Sequence, residues 1–262
     1  MLELERLAFL DVNLASGRVQ FGSGLPQVNP ACRYLREARY AFSDEGVEGL
    51  EELYYMYRDV ARCEDRPIIA QHGLRFDITL IPAGLIGQEY NKTVGHYHPV
   101  KLGTVYTYPE VYEVLHGEAT YLLQRPSVSR GEVDDVAVVV ARAGDKVVIP
   151  PGYGHITINA GVEPLLMANW VASEFDSIYG EIKELKGGAH YLVGSGREPE
   201  WINNHRYIKA PDIRRVETRD YPELGLFSGQ PMYKLIIEAP EKLRFLTHPE
   251  EYQWVKLCHL HN

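Results

Sequence analysis

The sequence predicts a mainly β protein: a barrel or sandwich of short strands, preceded by a helix and followed by an extended polar tail. Three observations predict it. The stretch Leu74 to Pro82, LRFDITLIP, alternates with period two, as a half-buried strand does. Further strand-like runs follow it: VYEVL, ATYLLQ, DVAVVVA, DKVVIP, HITIN and EPLLMANWV. Gly, Pro and Asn separate these runs, at HGE, RAGD, PPGYG and NAGVEP, and short strands with regular turns argue for an all-β architecture.

In chain order, the first forty residues read as irregular, with Gly and Pro spread through SGRVQFGSGLPQVNP. A helix is expected from Asp44 to Cys63. Leu50, Leu53, Tyr54, Tyr57 and Ala61 recur at three- and four-residue steps, Ser43 is a suitable N-cap, and the tyrosines read as core packing. The β region closes near Trp170 and Val171. SEFDSIYGEIKELKGGAHYLV then mixes a short helical stretch with a terminal strand. The tail from Gly194 carries Pro199, Pro211, Pro222, Pro231, Pro240 and Pro249 and reads as a wrap around the barrel or a partner subunit. Three parts result: an arm and helix over 1–73, a barrel over 74–193 and an extension over 194–262.

The chain has 262 residues, 45% of them hydrophobic, which is enough for a sizeable core. A net charge of −9, with pI near 5.6, argues against nucleic acid and anionic membranes as partners. An anionic substrate must then be held by local donors. The three cysteines, Cys32, Cys63 and Cys258, form no CxxC pair or disulfide framework, in keeping with a reducing compartment. The start, MLELERLAFLDVN, has acidic residues where a signal peptide has basic ones, and no apolar run is long enough to span a membrane. A cytoplasmic protein is expected.

The chemistry concentrates at Thr93-Val94-Gly95-His96-Tyr97-His98-Pro99. Histidines two apart on a strand face the same side, so both imidazoles can reach one ion. Glu110 opens a strand that leads into the turn at Gly117. A third histidine, His155, follows the tight turn Pro150-Pro151-Gly152-Tyr153-Gly154, and Asn159 lies four residues beyond. The segment PVKLGTVYTYP between His98 and Glu110 must loop out for Glu110 to reach the ion, with Glu113 as the fallback carboxylate. Three imidazoles and a carboxylate suit Fe, Mn, Ni or Zn and leave open positions on a six-coordinate ion.

These residues resemble the two motifs of the cupin superfamily, whose jelly-roll barrel is therefore implied. Gly144, Pro150, Gly152, His155 and Asn159 match the second motif, and His96, His98, Glu110 and Gly117 match the first. Tyr90 stands where the first motif usually has a glycine. From about Leu74 to Val193 the wording is similar to the cupin-type phosphoglucose isomerases. That resemblance implies one divalent metal per subunit, Fe2+ first, on His96, His98, Glu110 and His155. It also implies a homodimer, a sugar-phosphate substrate, and the interconversion of glucose 6-phosphate and fructose 6-phosphate in glycolysis and gluconeogenesis. Thr79, Thr93 and Gly95 occupy the positions that hold the phosphate in that family, and Tyr179-Gly180 match its Tyr-Gly pair. Some members carry a tyrosine and a histidine where this chain has Val171 and Ser177, so His190 or the tail would have to supply those contacts.

In such a reaction the ion acts as a Lewis acid and a base moves a proton between C2 and C1. Glu110 is the candidate base, although a metal-bound carboxylate has lowered basicity, and a hydride shift would avoid the difficulty. Tyr112, two residues on, faces the same side and could bind the sugar or pack in the core. Rival readings are a metallocupin isomerase of other sugars, a cupin dioxygenase and a non-catalytic sugar-phosphate sensor. Cys258-His259-Leu260-His261 is a weak second metal candidate, and His72, His116, His205 and His248 read as surface or turn residues.

Overall fold

The computed structural model describes residues 2–3, 12–15, 17–194 and 198–258. His259 and His261 of the weak second metal candidate lie outside these residues. An N-terminal sheet joins β1 (Leu2–Glu3), β2 (Val12–Ala15) and β3 (Arg18–Phe21). The chain continues through β4 (Ala31–Tyr34) and the single turn α1 (Leu35–Ala38). The described residues among the first forty are therefore more regular than their composition suggests: strands of four residues are too short to show a period among so many turn residues.

The expected helix over Asp44 to Cys63 does not form. Its centre is a strand, β5 (Glu52–Tyr57), and the six-residue α2 (Arg66–Gln71) comes later, with proline in its first turn. The physical reason is two-sided burial. Leu53, Tyr54, Tyr55 and Tyr57 are all buried, so β5 shows no alternation, and LYYMY is rich in aromatics that favour strands. The tyrosines are core residues as expected, but Ser43 caps no helix. Its backbone N–H donates to Glu89 Oε1 at 2.7 Å.

The strands read from the alternation and the apolar runs are all present. They are β6 (Leu74–Ile81), β9 (Glu110–His116), β10 (Glu118–Pro126), β11 (Val133–Arg142), β12 (Lys146–Ile149), β13 (Gly154–Ile158) and β14 (Leu165–Ala172). The short β7 (Leu85–Ile86) and β8 (Glu89–Tyr90) lie between the first two. After β14 come α3 (Gly180–Glu184), β15 (His190–Val193), β16 (Glu200–Asn203) and β17 (Arg214–Val216). The expected mainly β architecture is present, but among the described residues it is realised as open sheets, not as one closed barrel. A six-stranded sheet runs β12-β9-β14-β6-β5-β4 and a four-stranded one runs β13-β10-β11-β17.

The inner strands β14 and β6 of the six-stranded sheet are buried on both faces. One face of β6 and β14 lines the functional cavity described below. On the other face, Phe76 and Trp170 pack against Tyr233 of the tail, with ring centroids 5.0 and 5.6 Å away, and Trp170 Nε1 donates to the Met232 carbonyl at 3.1 Å. Short 3-10 turns, α4 (Leu235–Glu238) and α5 (Trp254–Cys258) carry further buried apolar residues here, Ile236, Leu243, Phe245 and Leu246 among them. The charged pair Lys146–Glu113 sits inside this packing, and Glu113 Oε2 also accepts the Met232 N–H at 2.8 Å.

Candidate metal centre

Three pieces of chain bring the candidate ligands together. His155 lies on β13, and its backbone pairs with that of His96, N–H to carbonyl at 3.1 Å and 3.3 Å in return. The His96 to His98 segment is thus docked on β13 by an isolated bridge and does not form a strand of its own. Gly95 permits the docking. Its φ is +79°, and a Cβ there would stand 2.4 Å from Ile156 Cγ1. The segment between His98 and Glu110 does loop out, as a hairpin-like excursion closed by Val100 against Thr107. Its end returns Tyr108 to the site, where the carbonyl accepts a hydrogen bond from His98 Nδ1 at 2.8 Å. That bond assigns the proton to Nδ1 and leaves the Nε2 lone pair for an ion.

His96, His98, Glu110 and His155 each offer an atom within 4.8 Å of the others. His96 Nε2 and His98 Nε2 are 3.1 Å apart, and Glu110 Oε2 stands 3.4 Å from His98 Nε2 and 3.3 Å from His155 Nε2. Ligands about 2.1 Å from one ion are roughly 3 Å apart when adjacent and roughly 4.2 Å when opposite. The observed spacings fit that cage. Glu110 Oε2 is also buried without a hydrogen-bond partner, the orphan acceptor that an ion would satisfy. Burial, then the neighbouring His155 and His98, hold the His96 ring well below its ordinary pKa, and burial lowers His155. Neutral imidazoles are the ligating form. Burial by itself would raise the Glu110 carboxyl, but His155 and His98 outweigh it and hold it well below the carboxylate range.

The four residues open onto a cavity of about 400 Å³. Thr79, Thr93, Gly95, Tyr112 and Tyr179, the expected sugar-phosphate contacts, all line it. The Tyr112 hydroxyl lies 3.0 Å from His155 Nε2, and burial, then Glu110, keep it protonated by raising its pKa well above the ordinary value. Glu113 points to the opposite side of β9 and binds Lys146, and Glu110 is the carboxylate that groups with the three histidines. Asn159 is a turn lock: its Nδ2 donates to the Ile81 and Glu163 carbonyls, both at 2.9 Å. His190 is buried on β15 away from the cavity, and among the described residues none beyond Tyr179 lines it. Neither His190 nor any described residue of the tail therefore stands in for the tyrosine and histidine absent at Val171 and Ser177, which do line the cavity. His72, His116, His205 and His248 lie outside it.

Sequence reading missed Arg58, Arg75, Asp77 and Asn169, which also line the cavity. The period of β6 could have found two of them, since Arg75 and Asp77 must share a face with Thr79.

A family model described as Glucose-6-phosphate isomerase (GPI) matches residues 32–209. A glucose-6-phosphate isomerase of Thermococcus gammatolerans is 31% identical over 190 residues, covering 70% of this chain and 90% of that protein. One from Thermococcus kodakarensis is 27% identical over 208 residues, covering 79% and 99% respectively. Among solved structures, an oxalate decarboxylase from Bacillus subtilis overlaps 48% of this chain and 27% of its own, at 16% identity and a TM-score of 0.35.

Proposed function

Since the chain belongs to the glucose-6-phosphate isomerase family, we propose that it interconverts glucose 6-phosphate and fructose 6-phosphate at the His96, His98, Glu110 and His155 centre. One observation carries the proposal: four ligand atoms converge in the same cavity that Thr79, Thr93 and Gly95 line. Fe2+ is the proposed ion, with Mn2+, Ni2+ and Zn2+ as the alternatives for reloading. The proposed setting is a cytoplasmic homodimer serving glycolysis and gluconeogenesis.

A bound divalent ion supplies Lewis acidity toward the oxygens at C1 and C2 of the open-chain sugar. The residues do the rest. The hydroxyls of Thr79 and Thr93 and the Gly95 N–H hold the phosphate, as neutral donors hold an oxyanion. The protonated Tyr112 donates to a sugar oxygen beside the ligands, and Tyr179, whose ring centroid lies 5.6 Å from that of His96, flanks the same end. Glu110 takes the C2 proton and returns it at C1. Sugar deuterated at C2 tests that last role, because exchange of the label with solvent requires a base and full retention removes Glu110 from it.

The deciding experiment strips the protein with chelator, reloads it with each metal in turn, and follows fructose 6-phosphate conversion in a coupled assay. Turnover that returns with metal is expected, and none with any metal would refute the isomerase reading.

A further inference from the structure

The cavity holds a charged arrangement that the reaction above does not use. Asp77 on β6 is buried, and its carboxylate is gripped by two arginines. Arg75 Nε lies 2.9 Å from both Asp77 oxygens, and Arg58 Nη1 lies 3.4 Å from Oδ2. The Asp59 N–H adds a third donor at 2.9 Å. One carboxylate thus faces two guanidinium groups, leaving one positive charge in excess on this wall. The other carboxylates lining the cavity are Glu110, which belongs to the metal centre, and Asp176, which is exposed.

Strand register places this charge. Val171 of β14 pairs with Glu110 on one side and with Arg75 on the other. Arg75 therefore stands level with the metal ligand, two strand spacings away, or roughly 10 Å between backbones. Val171, between them, lines the same cavity. Thr79 lies four residues further along β6 and pairs with Met167, deeper in the same wall. An open-chain hexose phosphate with its phosphate at Thr79 presents its reacting end toward Glu110 and Arg75. Arg75 is half-held: Asp77 engages its Nε and Nη2, which leaves Nη1 of this cavity-lining residue for another oxygen.

We propose that Arg75, positioned by Asp77 with Arg58 behind it, is a specificity-determining contact that donates to substrate oxygen at the reacting end and selects ligands negative at C1. This inference rests on the isomerase reading, because that reading decides which end of the sugar lies here. An enediolate carries its charge at C1 and C2, so the contact strengthens as the reaction proceeds.

The test is calorimetric and needs no turnover. Metal-loaded wild type, Arg75→Met and Arg75→Lys are titrated with gluconate 6-phosphate, a carboxylate at C1, and with glucitol 6-phosphate, a neutral alcohol there. Arg75→Met is expected to weaken the carboxylate ligand by about 10- to 100-fold and the alcohol by no more than about twofold. Arg75→Lys keeps the charge without the fork and falls between. Equal losses for both ligands, no loss, or loss of bound metal would each overturn the contact. Wild type that binds neither ligand overturns the substrate reading and the contact together. Wild type that binds both but turns over no hexose phosphate removes the isomerase reading alone, and the Arg75 comparison still decides the contact.

Discussion

Replacing Gly95 by alanine tests how the ligand segment is docked. Two costs arise. The backbone at φ +79° is left-handed, which costs a residue with a Cβ about 1–2 kcal/mol. The new Cβ would also lie 2.4 Å from Ile156 Cγ1, 3.1 Å from its Cδ1 and 3.3 Å from the His155 carbonyl. Ile156 is buried on β13 and has little room to give, so overpacking adds about 1–3 kcal/mol. The expected loss is therefore about 2–5 kcal/mol. Gly152→Ala is the matched control. Its φ is +86°, and a Cβ there meets no atom within 4 Å, so only the backbone cost of about 1–2 kcal/mol applies. Urea unfolding at constant m-value gives both numbers. The clash also pushes His96 away from His155, so Gly95→Ala should weaken metal binding, read by chelator competition, more than Gly152→Ala does. If Gly95→Ala is no more destabilised than Gly152→Ala, the close approach of the two segments is wrong.

Other outcomes follow from the same geometry. His155→Ala removes a ligand while leaving the backbone pairing with His96 intact, so bound metal and turnover should be lost with the circular dichroism spectrum retained; unchanged metal content would remove His155 from the centre. Lys146→Met strands the buried Glu113 carboxylate and should cost about 3–5 kcal/mol in denaturant unfolding, much of it recovered in Lys146→Met with Glu113→Gln. Asp135 accepts hydrogen bonds from Arg214 at 2.8 and 2.7 Å and from Tyr153 at 2.6 Å. Burial alone would raise its carboxyl, but these donors outweigh burial and hold it below its ordinary value. Such a group stabilises the fold above its unfolded pKa, near 4, and loses that contribution as pH falls through the folded value. The unfolding midpoint of Asp135→Asn should therefore trail wild type by a constant margin at neutral pH, and the gap should close below about pH 4.

What the sequence reveals and what it conceals divide along the range of the interactions involved. The candidate ligands are legible because each sits in a local word: His96 and His98 two apart, Glu110 seven residues before Gly117, and His155 just after a Pro-Gly turn. The strands from Leu74 to Ala172 are legible because turn residues bracket them and several alternate. β5 is hidden because both its faces are buried, which erases the period and lets its tyrosines mimic a helical stripe. Misreading β5 also conceals Arg58, since only a strand ending there aims it at Asp77. The tail is hidden for a different reason. Its contacts join residues far apart in sequence, such as Glu113 with the Met232 N–H and Tyr233 with Asp65, and no local pattern announces them. The charged wall of the cavity falls between these cases. Once Thr79 is placed on β6, alternation requires Asp77 and Arg75 to face the same cavity, and the register with Val171 and Glu110 then sets Arg75 beside the reacting end. That contact is invisible in any one motif, because it is made by the sheet that joins them.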